Sequence, residues 1–213
     1  MAMKRFIHIR VALAVAACAA LAAAPGSADA VTMTPAGAAF TAATVGGGGA
    51  TINFPTGAVF CRTVTTTGTI PSGQNNPNPN GSVTMTVTTP TFRECTAYSF
   101  PATVQANAIE GTWSMSFTSV QGAPTVFGTL TAPSLGLLVT LTSPYSCIIT
   151  GMRGTQTPGT GVWSNIAHAL TLTRQQVPIV ENGAICPPRA QFGNLSVALT
   201  LVAGVTGVGI TAP

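Results

Sequence analysis

Three features of the chain predict an all-β fold, a disulfide-stapled β-sandwich or barrel. Four segments alternate apolar and hydroxyl residues with period two: Ser82–Thr88, Thr112–Thr118, Ala169–Thr173 and Leu195–Leu199. Such alternation sets one face of a strand on a core and the other in water. Thr suits the outward face, because its branched Cβ fits a pleated sheet while its hydroxyl stays hydrated. Clusters of Gly, Pro and Asn separate these segments, and no stretch beyond the first thirty residues carries a helical stripe.

The N-terminal thirty residues stand apart. Lys4, Arg5 and Arg10 precede an uncharged run from Val11 to Ala24, Pro25-Gly26 breaks it, and Ala28-Asp29-Ala30 supplies the small residues of a cleavage site. This order of basic head, apolar stretch and small-residue tail predicts a secretory signal over residues 1–30. The run is short for a membrane span, which needs ~20 apolar residues. Val15-Ala16-Ala17-Cys18 offers a competing lipidation site at Cys18, but the apolar run continues past it to the better site at Ala30.

Residues 31–213 then form one exported β domain of 183 residues (213 minus 30), large enough to bury ~70% of its unfolded surface. Its charged residues are Arg62, Arg93, Arg153, Arg174 and Arg189 against Glu94, Glu110 and Glu181, five minus three, or +2. That sparse balance lacks the dense basic face of a nucleic-acid binder. Along the domain, Gly46 to Gly49 interrupts the first strand region, and Pro71 to Gly81 makes the longest polar loop. The near-continuous apolar run Leu135 to Leu141 predicts a strand covered on both faces, or a core strand at a sheet centre. Gly159-Thr160-Gly161 and Cys186-Pro187-Pro188 predict two further turns.

Four cysteines follow the signal: Cys61, Cys95, Cys147 and Cys186. An even count in an exported chain predicts two disulfides, and the absence of C-x-x-C spacing disfavours zinc. A weak internal echo suggests the pairing. Gly68-Thr69 follows Cys61 at the same distance as Gly154-Thr155 follows Cys147, and each cysteine has a second one downstream. The echo divides the domain into two similar halves, clipped by Cys61–Cys95 and Cys147–Cys186. Proximity favours the same pairing, since consecutive strands usually neighbour each other. The other two connectivities stay open.

Several of these residues carry a resemblance. Ala39-Phe40-Thr41-Ala42, Cys61 with Gly68-Thr69, Thr91-Phe92 before Cys95, Val162-Trp163-Ser164-Asn165 and the Gly183 to Cys186 stretch resemble a group of small secreted proteins of high-GC Gram-positive bacteria. More distantly the chain resembles secreted proteins described as alkane-oxidation activators, some linked to biofilm matrix. The resemblance spans most of residues 36–213. It implies a secreted β-sandwich or barrel and carries over no catalytic residue. A Leu-Pro-Trp-type segment expected after the second cysteine is missing, and only Trp113 stands in that region.

Tests for chemistry predict no catalytic residue, no metal site and no cofactor. A Ser-His-Asp triad needs an orienting carboxylate, and the domain has no Asp and no G-x-S-x-G elbow. His168 is in phase with Leu170 and Leu172, which predicts a structural role. Glu94 beside Arg93, Glu110 before Gly111 and Glu181 before Asn182-Gly183 all sit in ion-pair or turn contexts, not as an acid pair. Trp113, Met115 and Phe117 share one strand face and predict core. Trp163, between Gly161 and Asn165, is the candidate for an exposed ring. Trp163 and Tyr145 are therefore the weak candidates for ligand binding, and the Gln74 to Asn80 loop is a candidate for a glycan contact.

These readings favour a non-enzymatic secreted or cell-surface protein acting by surface association, through self-association or as a matrix component. With little charge, its strands have few gatekeepers against edge contacts. The alternative is an extracellular binder of a small molecule, glycan or lipid. A membrane-spanning β-barrel fits less well, because the aromatic girdles are missing; no span is expected after signal cleavage.

Overall fold

Alternation of apolar and hydroxyl residues produces a strand in each of the four segments where it occurs, and the strands close on themselves. The computed structural model describes residues 30–46, 48–54, 57–78, 81–119, 125–141, 147–151, 157–182 and 192–211. In chain order the strands are β1 (Thr32–Thr34), β2 (Ala39–Thr44), β3 (Ala50–Phe54), β4 (Gly57–Thr69), β5 (Ser82–Val87), β6 (Thr91–Ala97), β7 (Phe100–Ala106) and β8 (Trp113–Ser119). They continue with β9 (Val126–Ala132), β10 (Leu137–Leu141), β11 (Cys147–Gly151), β12 (Thr157–Ser164), β13 (Ala169–Asn182), β14 (Phe192–Ala203), β15 (Thr206–Gly207) and β16 (Gly209–Thr211).

Strand pairing reveals a simple path. β2 and β3 run in one direction along both β4 and β14, so together they make one interrupted stave of a barrel. β5–β6, β7–β8, β9–β10 and β11–β12 are joined end to end in the same way, while β4, β13 and β14 run unbroken. The result is eight antiparallel staves in chain order, closed where β14 pairs with β2 and β3. Closure removes the free sheet edges that an open sheet would expose along its two sides.

Inside lies an apolar core. Val83, Met85 and Val87 of β5 face Phe117, Met115 and Trp113 of β8 in register, and all six are buried. Outside, the same strands present Thr84, Thr86, Ser114 and Ser116. This polarity, apolar within and hydroxyl without, is the reverse of a barrel spanning lipid.

One end of the barrel is capped. β1 and β16 pair there, and Val31, Met33, Ile70, Val208 and Ile210 are buried beneath them. The polar loop after β4 supports this cap: Asn76 is buried, its Nδ2 donates to Met33 O at 2.8 Å and its Oδ1 accepts from Met33 N at 2.7 Å. That loop, considered above for glycan contacts, is thus tied down in part by the cap. Its Pro79 and Asn80 lie outside the described residues.

The Cys61–Cys95 disulfide forms across directly opposed residues of β4 and β6, with Cα atoms 4.0 Å apart. Cys147 begins β11, but its side chain and Cys186 lie outside the described residues. Cys61 and Cys147 belong to staves four apart around the barrel.

Three local expectations need correction. Gly159-Thr160-Gly161 is not a turn but part of β12. A Cβ at Gly161 would lie 2.0 Å from Thr171 O, so glycine here lets β12 and β13 approach closely. Leu135 to Leu141 is not one strand: Leu135, at φ 53°, belongs to a break before β10. Glu181 stands at the end of β13, opposite Ile149, not in a turn.

Candidate functional site

Two interruptions of neighbouring staves lie side by side at mid-height, the waist of the barrel. Between β7 and β8 the chain bulges through residues 107–112, and between β9 and β10 through 133–136. Polar groups join the two bulges. Asn107 N donates to Gly136 O at 2.9 Å, Asn107 Nδ2 to Leu135 O at 2.6 Å, and the Trp113 indole to Asn107 O at 2.8 Å. The Ser134 hydroxyl donates to the Glu110 carboxylate. Glu110 is thereby placed as a structural acceptor within this network.

Behind the waist network lies a cavity of about 60 Å³. All eight staves contribute to its wall, among them Val64, Trp113, Leu130, Leu137, Val177 and Val197. Cys61 brings the disulfide to the same wall. Apart from the Trp113 indole N–H, held by Asn107 O, the polar side-chain group among the lining residues is the Thr66 hydroxyl, which donates to Thr88 O at 2.6 Å. Ala50, Ala132 and Gly159 also face the space. Sequence reading missed this chamber; its trace is a set of small residues at inward positions of strands whose other inward residues are large.

Trp163 is buried, 5% exposed, and so is not the exposed platform its glycine and asparagine neighbours suggested. It lies in the inward phase of β12 and meets Phe117 edge-on, with ring centroids 5.2 Å apart. Its Nε1 donates to Asn165 Oδ1 at 2.7 Å. Asn165 in turn holds the cap, accepting from Ile210 N at 2.8 Å and donating to Ile210 O at 2.6 Å. His168 does similar work: its Nδ1 lies 2.9 Å from Val208 O, an acceptor, which assigns the proton to Nδ1. Tyr145 lies outside the described residues. Trp113, Met115 and Phe117 are core, as their shared face predicts.

Charge is distributed unevenly. Among the strands, Asp, Glu, Lys or Arg occurs in β4 (Arg62), β6 (Arg93 and Glu94) and β13 (Arg174 and Glu181), and the other thirteen carry none. Glu110 and Arg174 sit at the waist. Arg62 and Glu94 pair at 3.2 Å beyond it, both well exposed, as a surface contact of small energetic weight. The capped half is thus uncharged among the described residues, and it displays Ile166 and Val205 at turn tips, 97% and 101% exposed, with Phe127 beside Val162 on the wall.

That half also has a seam. β4 and β5 stay in register at one pair, Gly68 opposite Val87. Among the described residues, Ser82–Thr86 of β5 faces no partner strand on that side. A shallow trough opens along it, lined by Thr41, Thr67, Thr69, Thr84, Thr86 and Thr88. Among the described residues no three His, Cys, Asp or Glu side chains group as metal ligands. No family model matches the chain, and neither a curated protein nor a solved structure does.

Proposed function

We propose that this protein is a non-enzymatic, exported β-barrel that acts by surface association, at the cell surface or in a surrounding matrix, through its uncharged half. The observation that carries this reading is the open edge of β5. A strand edge with free backbone donors and acceptors is a template for another strand, and natural edges are usually blunted by charge, proline or a bulge. Ser82–Val87 has none of these, and the Thr side chains around it are uncharged and hydrogen-bond readily. The absence of like charge across the whole half leaves little repulsion against contact with a second copy or an adhesive surface.

Replacing Thr84 and Thr86 with Lys tests it. Both residues are exposed, so the fold should persist, while two ammonium groups beside the edge oppose strand addition. Sedimentation velocity and surface adhesion of the exported protein, with the variant alongside, should show association reduced several-fold in the variant. Equal association by both would remove β5 from the account. Polymer hydrolysis abolished by His168→Ala or Glu110→Gln would overturn the non-enzymatic reading.

A further inference from the structure

We propose that the waist cavity is a binding site for one small, uncharged hydrocarbon, a single ring or a short aliphatic chain. Native cores close most voids larger than a water molecule, and this one holds about 60 Å³. In such a measure a water needs ~10–15 Å³, so there is room for several contiguous heavy atoms. Water itself is a poor occupant, because it needs two to four polar partners. The Thr66 hydroxyl and the Trp113 indole N–H on the wall are already engaged, with Thr88 O and Asn107 O. A charged or strongly polar ligand would lose its hydration with nothing in return. An apolar molecule loses no hydrogen bond and gains contacts with Leu130, Leu137, Val177 and the Trp113 ring.

Access is built into the same level of the barrel. Between 107–112 and 133–136, directly beside Trp113 and Leu137, the regular ladder thins to the Asn107 N–Gly136 O bond and the Glu110–Ser134 bridge, so the wall can part there by breaking few hydrogen bonds. The small residues set the size of the site. A Cβ at Gly159 would find its nearest atoms, Leu172 Cδ2 and Gln175 Cγ, at an ordinary 3.5 Å. A larger side chain is therefore accepted by the backbone and takes up cavity volume.

The test uses benzene and xenon as probes of the purified protein, followed by methyl-resolved NMR and thermal unfolding. Saturable shifts are expected at Val64, Leu130, Leu137 and Val177. Benzene at ten times its dissociation constant should lower the apparent unfolding equilibrium constant about tenfold. Ala132→Leu and Gly159→Val fill the space from two different strands, and each should weaken binding at least tenfold while remaining folded. If one variant fails to fold, the other and the wild-type shifts still decide. Absence of saturable shifts, shifts confined to Phe127 and Val162 on the outer wall, or undiminished binding by a folded filled variant would each overturn the proposal.

Discussion

Asn76 shows how much of the capped end depends on one side chain. Both of its amide hydrogens and its carbonyl oxygen are engaged, with Met33 O, Pro71 O and Met33 N. Met33 is wholly buried, so Asn76→Ala would leave its backbone N–H and C=O without these partners. Each stranded buried group costs about 1–3 kcal/mol, and the expected loss of stability is therefore ~2 kcal/mol or more. Urea unfolding checks it: the midpoint should fall with an unchanged slope. Asn76→Asp should be at least as damaging, since a carboxylate would face two carbonyl oxygens. A loss under ~0.5 kcal/mol would mean that water replaces the amide. Trp163 carries the opposite lesson about reading single residues. Gly159 and Gly161 precede it in the same inward phase, and the glycines hid the period of the strand. Its indole proved to be part of the cap's support through Asn165.

At the scale of elements, the strands that were legible are those with uninterrupted alternation. β5, β8 and the start of β13 could be drawn from Val, Met, Trp, Phe and Leu alternating with Thr and Ser, because side-chain direction in a strand is a local property. The breaks were less so. Glu110-Gly111 marked one bulge, but Leu135 sat inside an apolar run with no punctuation. Its left-handed conformation is imposed by the meeting of the two bulges, where Asn107 takes the carbonyls of Leu135 and Gly136. The Cys61–Cys95 bridge was legible because its partners lie on neighbouring staves. It closes a loop of sequence separation 34, for which restriction of the unfolded chain amounts to ~3–4 kcal/mol. Replacing both cysteines with Ala should lower the unfolding free energy by about that much. Because Cys61 faces the waist cavity, part of the loss would be lost packing. A change below ~1 kcal/mol would indicate that the unfolded chain is already compact there.

Closure of the barrel belongs to the whole molecule, and no local signal announces it. It requires β14 to find β2 and β3, more than a hundred residues earlier in the chain, and it turns an all-β pattern compatible with a sandwich into a closed wall. The cavity was hidden for the same reason, since all eight staves contribute to its wall, whereas the open edge of β5 depends on the single pair Gly68–Val87 between neighbouring staves, a register that alternation alone does not specify. Closure also makes the wall unequal. β4, β13 and β14 cross the waist as continuous strands, whereas β2–β3, β5–β6, β7–β8 and β9–β10 break there among the described residues. Local opening follows such weak points, because fewer ladder hydrogen bonds must be broken together. Amide hydrogen exchange should therefore divide the molecule by continuity rather than by sequence. Amides at 108–112 are expected to exchange at least tenfold faster than those of Val64–Thr67 in β4 or Val197–Thr200 in β14. Ile109, whose N–H makes an exposed 3.3 Å bond to Asn107 Oδ1, should be among the fastest. Exchange measured by mass spectrometry on the native protein would show this as a band of low protection around one side of the barrel. If residues 108–112 were as protected as β4, the waist would be a rigid girdle, and entry to the cavity would have to run through an end of the barrel.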